Sequence, residues 1–479
     1  MKKLLSLLLV FVMVLSLAAC GGTTSEEPKT EEPKTEEPKT EEPKTEEPKT
    51  EEKPFAGKTL KVAGLDGGYG TKAWLEVIAK FEEVSGATVE SQFEKNIYEV
   101  IRPQIQDGNA PDVIYNSVGQ ESGLTETMIK EDMVLDITDA FSTKILGEEK
   151  TAGEKIVPGF TGNSTTNPKG DDKVYLAPLF YSPTGLWYNK AQFTADGGKY
   201  ELPTTMDEFL ALGETAKADG VALFTYPTTG YFDTFTYAMA SAVGGTDLFN
   251  RLMNYDAEAW ANEATPIFET IGKILQYVHP NTVAQANNEG FTKNQLSVMT
   301  NETLFMPNGT WIVGEMAAAE GVAEGFKWGF MALPSIGGGD RYATSWFEQA
   351  FVSKDTKEPE LAKAFIAYLY SDEAVQLFLN NTIVNDKDET VASPQVQPIV
   401  GVEEMITDED NKLFYSIYSD GANATLGGFA AAPAVEGVDM SKSLFEAVNS
   451  VANGDMTVEQ WQAGVVDTAT KLSEAIKAQ

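Results

Sequence analysis

The chain has 479 residues, of which 72 are Asp or Glu, 36 Lys or Arg, one Cys and one His, for a net charge of −36. At about 100–200 residues per domain the length allows two or three domains, but the charge leaves no clustered cationic surface for DNA, RNA or an anionic membrane, so nucleic acid is not a partner. One Cys gives neither a disulfide framework nor a thiolate metal cluster; one His, His279, excludes zinc sites built on several imidazoles and leaves triad catalysis a single residue to run through, so no metal and no cofactor is expected.

Two stretches at the start stand outside any fold. Lys2 and Lys3 precede an apolar run from Leu4 to Ala19, too short to span a bilayer as a helix of about 20 residues but suited to the core of a secretory signal. The run ends in Leu17-Ala18-Ala19-Cys20-Gly21. This resembles the lipobox of bacterial lipoproteins, which implies a signal peptide over 1–19 and lipidation of Cys20; a buried apolar helix with an incidental Cys is the competing reading. Five tandem copies of Glu-Glu-Pro-Lys-Thr follow, from Glu26 to Thr50. With no aliphatic or aromatic side chain and a Pro in every copy, this segment cannot bury surface to offset its ordering entropy, so residues 20–54 read as a disordered tether. Extended at about 3.1 Å per residue, the 28 residues from Glu26 to Lys53 would reach roughly 90 Å. The first 53 residues carry 8 Lys and 12 Glu, so −32 of the −36 falls on the folded part, Phe55 to Gln479.

The folded part opens with a strand, Thr59 to Leu65, a glycine-rich loop over Asp66–Gly70, and a helix with Trp74, Val77, Ile78, Phe81 and Val84 on one face, ended by Gly86. A strand over Ala87–Phe93, a helix over Tyr98–Gln106 and a strand over Asp112–Tyr115 continue a βαβ rhythm, which predicts parallel, doubly wound α/β architecture. Further strands are expected at Lys173–Leu179, Leu186–Asn189, Val221–Tyr226, Lys327–Leu333 and Gln349–Ser353. Thr205-Met206-Asp207-Glu208 and Thr457-Val458-Glu459-Gln460 fit the capping box that opens a helix. Glu358–Tyr370 reads as an amphipathic helix, with Ser371 capping the next one. No Ser/Gly/Pro-rich linker divides these 425 or so residues, so two lobes would require several crossings.

Six stretches, spread in order over most of the folded part, carry a family resemblance: Pro111-Asp112-Val113-Ile114; Ala177-Pro178 leading to Gly185-Leu186-Trp187-Tyr188-Asn189-Lys190; Leu202-Pro203-Thr204-Thr205-Met206-Asp207-Glu208-Phe209; Phe305-Met306-Pro307-Asn308-Gly309-Thr310-Trp311; Phe351-Val352-Ser353 before Pro359-Glu360-Leu361-Ala362; and Gly454-Asp455-Met456-Thr457. Together they resemble the extracellular solute-binding proteins of ABC importers, in the carbohydrate-binding branch (family 1) that includes maltose- and multiple-sugar-binding proteins. One departure is Met206, where the family usually has Trp. The resemblance implies a type II periplasmic-binding-protein-like fold: two α/β lobes, each a mostly parallel sheet flanked by helices, joined by three crossings and closing on ligand by hinge motion. Laid on this sequence, lobe one is 55–178 plus 335–383 and lobe two is 179–334 plus 384–479.

A sugar presents hydroxyls on its rim and C–H patches on its ring faces, so its site needs aromatic planes and hydrogen-bonding rims, in loops at the carboxyl ends of strands. Trp311, after Asn308-Gly309, is the first candidate, and by resemblance it stacks under a sugar ring; a core Trp at a helix start is the alternative. Trp346 and Glu348, in Thr344-Ser345-Trp346-Phe347-Glu348, pair aromatic with carboxylate. Tyr181, Tyr231 and Phe232 are aromatic candidates, and Asn116, Ser117, Asp66 and Tyr69 are candidate rim groups, each with core packing as the competing reading. Trp74 and Trp187 read as core. The loop at Asp66–Gly70 lacks phosphate-binding spacing. Asp386-Lys387-Asp388-Glu389 and Asp408-Glu409-Asp410-Asn411 lack the EF-hand pattern and read as solvated turns. His279 reads as a helix-end residue beside free carbonyls.

The resemblance implies a monomeric receptor, not an enzyme, held by lipid at the extracellular face of the bacterial cytoplasmic membrane, that passes a mono- to oligosaccharide to an ABC permease. Two rivals stay open: a polyamine- or other small-solute-binding protein of the same fold, since carboxylates and aromatics suit polyamines, and a lipid-anchored glycoside hydrolase, which needs only two carboxylates about 5–9.5 Å apart. Anionic ligands are disfavoured by the chain's three arginines, Arg102, Arg251 and Arg341.

Overall fold

The computed structural model describes residues 53–67, 69–118, 123–163, 165–287, 290–316, 319–384, 388, 390–430 and 432–478. The apolar run, Cys20, the Glu-Glu-Pro-Lys-Thr repeats, Gly68, Asp386, Lys387 and Glu389 lie outside the described residues. The strands are β1 (Thr59–Leu65), β2 (Thr88–Glu94), β3 (Val113–Tyr115), β4 (Leu176–Asn189), β5 (Ala222–Phe224), β6 (Thr303–Gly309), β7 (Trp328–Met331), β8 (Arg341–Val352), β9 (Thr382–Val384), β10 (Thr390–Ala392) and β11 (Ala422–Thr425).

Nine of these join in one sheet, in the order β2-β1-β3-β8-β4-β6-β5, with β11 beside β8 and β7 beside β4. The first three strands are parallel, as the βαβ rhythm predicts. The sheet as a whole is mixed, because β8 lies antiparallel to both β3 and β4, and β4 lies antiparallel to β6 and β7. Strands β4 and β8 serve both lobes. The first half of β4 pairs with β8, with a register shift between Pro178 and Phe180, and from Thr184 onward it pairs with β6. The start of β8 pairs with β11, and its end pairs with β3. The pairing partners therefore change at about 179–183 on β4 and at about 345–349 on β8.

The segment that follows β10 is tied back by backbone hydrogen bonds. Ser393 and Gln395 N–H donate to the carbonyls of Asn381 and Phe378 (2.9 and 3.0 Å), Tyr181 N–H to Val396 (2.9 Å), and Val400 N–H to Lys155 (2.8 Å), which ties this segment to lobe one. The chain then reaches the helix Glu409–Tyr415, where Phe414 meets Phe330 of β7 with ring centroids 4.8 Å apart.

Local chemistry explains the elements that were legible. The helix Lys72–Ser85 buries Trp74, Val77, Ile78 and Phe81 and stops where Gly86 takes φ 76°, its N–H bonding the Glu82 carbonyl at 3.0 Å. In lobe one Trp74 meets Tyr115 (4.8 Å), Phe378 (5.4 Å) and Phe93 (5.5 Å). Fully burying a side chain of this size is worth about 1.5–3 kcal/mol or more. In lobe two Phe305 gathers Phe209 (5.1 Å) and Phe193 (5.4 Å), and Trp461 packs on Phe268 (4.8 Å). Both expected capping boxes are formed: Glu208 N–H donates to Thr205 Oγ1 (3.3 Å) with the reciprocal bond at 3.1 Å, and Gln460 N–H donates to Thr457 Oγ1 (3.2 Å) with its reciprocal at 2.9 Å. A third, Thr151 with Glu154, was not foreseen. Ser371 caps the helix Asp372–Leu379 by accepting from Ala374 N–H (3.1 Å).

Candidate functional site

The strands that cross between the lobes carry the most informative side chains. On a strand, alternate residues face opposite sides, so Trp346 and Glu348 share one face of β8 while Ser345, Phe347 and Gln349 share the other. Trp346 stands opposite Ser182 of β4, and Glu348 stands opposite Phe180. Trp346 is 42% exposed on a strand whose neighbouring residues are otherwise half-buried or buried. Leaving an indole in water at this position forgoes the burial that Trp74 and Trp187 obtain, so the exposed ring offers a plane that other packing does not use.

Beside Trp346 lies a cavity of about 730 Å³ bridging the lobes, within the ~300–1,000 Å³ typical of small-molecule sites. Lobe one contributes Val118, Thr165 and the helix Leu124–Lys130; lobe two contributes Asn254 and the loop from Gly427 to Pro433, including Phe429; β8 contributes Trp346, Phe347 and Gln349 between them. Gln349 ties the floor together: its Oε1 accepts from Val118 N–H (2.9 Å), its Nε2 donates to the Thr165 carbonyl (2.7 Å), and its N–H donates to Ser117 Oγ (3.0 Å).

On the same face of β8 as Trp346, one pair further along, Glu348 is half-buried and accepts from the Tyr115 hydroxyl. Burial pushes its carboxyl up to about 7. Tyr69 comes close enough to feel that carboxylate: its hydroxyl is pushed up to about 12, first by burial and then by the charge of Glu348, and it hydrogen-bonds Ser182.

A third group forms at the lobe-two end, where Thr184 of β4 opposes Gly309 and β6 runs into Thr310 and Trp311. The indole of Trp311 folds back over Gly309, where a Cβ would come within 2.3 Å of ring carbons, so glycine is required there for steric reasons. Trp311 meets Tyr231 at 6.1 Å in edge contact. The Tyr231 hydroxyl donates to Glu315 (3.2 Å), and Gln295 Nε2 donates to the same carboxylate (2.6 Å). Burial, then the Glu315 charge, raises the Tyr231 hydroxyl well above its ordinary value.

The expected site residues thus divide. Trp346 lines the cavity; Glu348 and Tyr69 form the group beside it; Trp311 and Tyr231 form the group beyond β4. Asp66 is half-buried at the end of β1. The others are packed inside. Phe232 is fully buried against Tyr226 (4.9 Å) and Phe235 (6.0 Å) in the core of lobe two. Tyr181 is 3% exposed between Phe160 (5.2 Å) and Tyr415 (5.0 Å). Asn116 is buried, its Nδ2 donating to Thr125 Oγ1 at 2.8 Å, and Ser117 is buried against Gln349; both support the cavity floor from beneath. Phe347 stands in the stretch that the sequence reading treats as an aromatic pair beside a carboxylate, and Phe429, Ser182 and Tyr115, which it does not single out, lie beside these groups. Ser182 falls between the two stretches read as strands, and Phe429 sits in an Ala- and Gly-rich segment with no periodic signal.

Among the described residues no group of three or more His, Cys, Asp or Glu side chains is placed to hold a metal ion. Asp408 instead caps the helix Glu409–Tyr415, accepting from Asn411 N–H at 2.8 Å. His279 follows a 3₁₀ turn, and its ring faces Glu302 (3.4 Å) and accepts from Asn281 N–H (3.3 Å) rather than meeting helix carbonyls. No described helix is long and apolar enough to cross a membrane.

Comparison with known proteins follows the same lines. The family model described as bacterial extracellular solute-binding protein matches residues 67–376. The diacetylchitobiose binding protein NgcE of Streptomyces coelicolor is 26% identical over 340 residues, 67% of this chain and 68% of that protein. The multiple sugar-binding protein of Streptococcus mutans is 29% identical over 220 residues, 44% of this chain and 50% of that protein. Among solved structures, the bacterial solute receptor AcbH superposes with TM-score 0.65 at 17% identity, covering 87% of this chain and all of that one, and the apo form of RafE from Streptococcus pneumoniae with TM-score 0.60 at 20% identity, covering 88% and 98%; these likenesses concern the fold. With the family match covering well over half of the chain, and two α/β lobes facing each other across a cavity, this protein belongs to the bacterial extracellular solute-binding proteins.

Proposed function

We propose that this protein is the carbohydrate-capturing subunit of an ABC importer, holding a sugar or oligosaccharide between its lobes and delivering it to a permease. The observation that carries this reading is Trp346, exposed at the edge of the interlobe cavity with Phe347 and Phe429 nearby and amide and hydroxyl groups around it. Aromatic planes flanked by neutral hydrogen-bonding groups suit a pyranose, whose faces are C–H and whose rim is hydroxyl. Trp311, Tyr231, Glu348 and Tyr69 extend the contact surface beyond the cavity lining, with Asp66 at its rim. The names of the relatives, diacetylchitobiose and multiple sugars, support the same class.

In this reading the protein works as a monomer and turns over no substrate. Cys20 carries the lipid that anchors it, and residues 20–54 hold it off the membrane on the extracellular side. Isothermal titration against a panel of neutral oligosaccharides tests the ligand class: at least one should bind, quench or shift Trp fluorescence, raise the melting temperature, and be recovered intact. Hydrolysis at enzymatic rates would make it a glycosidase instead, and a melt shifted by spermidine alone would assign a polyamine. Labelled fatty acid should enter the wild-type protein in cells and be lost in Cys20→Ala.

A further inference from the structure

We propose that Tyr255 is a positioning residue for the binding cavity: it lies behind the lobe-two wall and holds Phe429 and the loop around it in place. This rests on the reading above, in which the cavity beside Trp346 receives the sugar. The starting observation is a backbone conformation that does not suit the residue type. Among the described residues five other than glycine take positive φ, and four of them are Asp or Asn, which tolerate the left-handed region; the fifth is Tyr255, at φ 59°. It follows the helix Asp233–Met253 in the place where glycine ordinarily ends a helix, its N–H donating to the Leu252 carbonyl (3.1 Å) and the Asp256 N–H to the Arg251 carbonyl (3.0 Å). A bulky side chain kept in such a turn, against local preference, is expected where its contacts serve a site.

Those contacts are ones that glycine could not make. The Tyr255 side chain is buried, its ring stacked on Phe429 with centroids 5.5 Å apart and planes 12° from parallel, and its hydroxyl donates to the Ala430 carbonyl (2.7 Å). The Ala430 N–H donates in turn to the Met253 carbonyl (2.9 Å), so the loop is tied to both sides of the same turn. Phe429 and Ala430 line the cavity, and so does Asn254, the residue just before Tyr255. Gly427, Gly428, Phe429 and Ala430 lie outside the helices and strands. With no ladder of its own to hold it, this stretch takes its position from side-chain anchors of this kind. Tyr237 meets the Phe429 ring edge-on at 6.0 Å, whereas Tyr255 lies against its face and sets its tilt.

The test uses Tyr255→Phe, which keeps the ring and the turn but loses the hydroxyl bond, and Tyr255→Gly, which relieves the turn but loses the stack; the first carries the test should the second fail to fold. Wild type and variants are titrated calorimetrically with the tightest-binding neutral oligosaccharide of the panel above, and amide hydrogen exchange over 427–433 is followed by mass spectrometry without sugar. Tyr255→Phe should weaken binding about three- to tenfold, the scale of one lost hydrogen bond, and Tyr255→Gly by more. Both should speed exchange in the loop while the helix Lys72–Ser85 keeps its protection. In a Phe429→Leu background Tyr255→Phe should change affinity by less than about twofold, because the ring it positions is gone and the two sites act as one unit. Unchanged affinity in Tyr255→Phe, or the same loss with and without Phe429, would reduce Tyr255 to core packing and overturn the proposal while the carbohydrate reading stands. If no glycan binds, the carbohydrate reading falls and exchange alone decides: unaltered protection of the loop overturns the positioning role, and faster exchange supports it.

Discussion

Replacing Glu348 by Gln should stabilise the protein at pH 8 and do little at pH 4.5. The carboxyl has an ordinary value of 4.5 and is pushed up to about 7 by burial between β4 and the lobe-one core. A factor of ten in ionisation corresponds to about 1.4 kcal/mol, so the folded anion is disfavoured by about 3 kcal/mol; partial solvent access reduces this to about 2 kcal/mol. The sign follows from proton counting. Below pH 4.5 folded and unfolded chains both hold the proton and nothing is lost. Between 4.5 and 7 the unfolded chain releases it first, so stability falls as pH rises, and above 7 the full penalty applies. Glutamine keeps the size and can still accept from Tyr115, but it never ionises. Asp233, which burial raises to about 6, titrates in both proteins and drops out of the difference. Urea unfolding of wild type and Glu348→Gln, followed by Trp fluorescence at pH 4.5 and 8, measures the effect. The gain at pH 8 should exceed that at pH 4.5 by about 2 kcal/mol; an equal change at both pH values would mean that Glu348 is solvated or ion-paired and that this region is not desolvated.

Other substitutions separate binding from folding. Trp346→Ala and Trp311→Ala should each weaken sugar binding by about 1–3 kcal/mol, the scale of a lost aromatic anchor, with cooperative unfolding preserved; titration calorimetry reads the first and thermal melts the second. Gly309→Ala should act through Trp311, because the new methyl occupies the space of its ring; circular dichroism should remain native while affinity falls toward that of Trp311→Ala. Thr457→Ala removes one half of the capping box on the helix Val458–Lys477 and should cost about 1 kcal/mol of stability, measured by melting temperature, with ligand affinity unchanged.

The sequence and the structure agree where local signals and tertiary packing ask for the same thing. Helix Lys72–Ser85 has its apolar stripe and its terminal glycine, and strand β1 its alternation, so both were placed to within a residue or two. The crossing strands lacked such signals. Pro178, Pro183 and Gly185 break the pattern of β4, and Thr344-Ser345-Trp346-Phe347-Glu348 mixes polar and aromatic residues without period, so one 14-residue strand was read as two and β8 was given only its last third. Pairing on both sides holds these segments extended in spite of their composition. The candidate site was half legible for the same reason. Aromatic and acidic residues at strand ends stand out, whereas Phe429, Ala430 and Ala432 come to line the cavity only when the fold brings residues about 300 positions apart together.

The shared strands also determine how this gene can be divided. Lobe one needs β1 to β3, the first half of β4 and the end of β8, so the shortest continuous segment containing its sheet also encodes most of lobe two. Any fragment cut between them would leave β4 or β8 with bare backbone edges, a template for aggregation. A fragment expressed alone should therefore aggregate where the full chain does not.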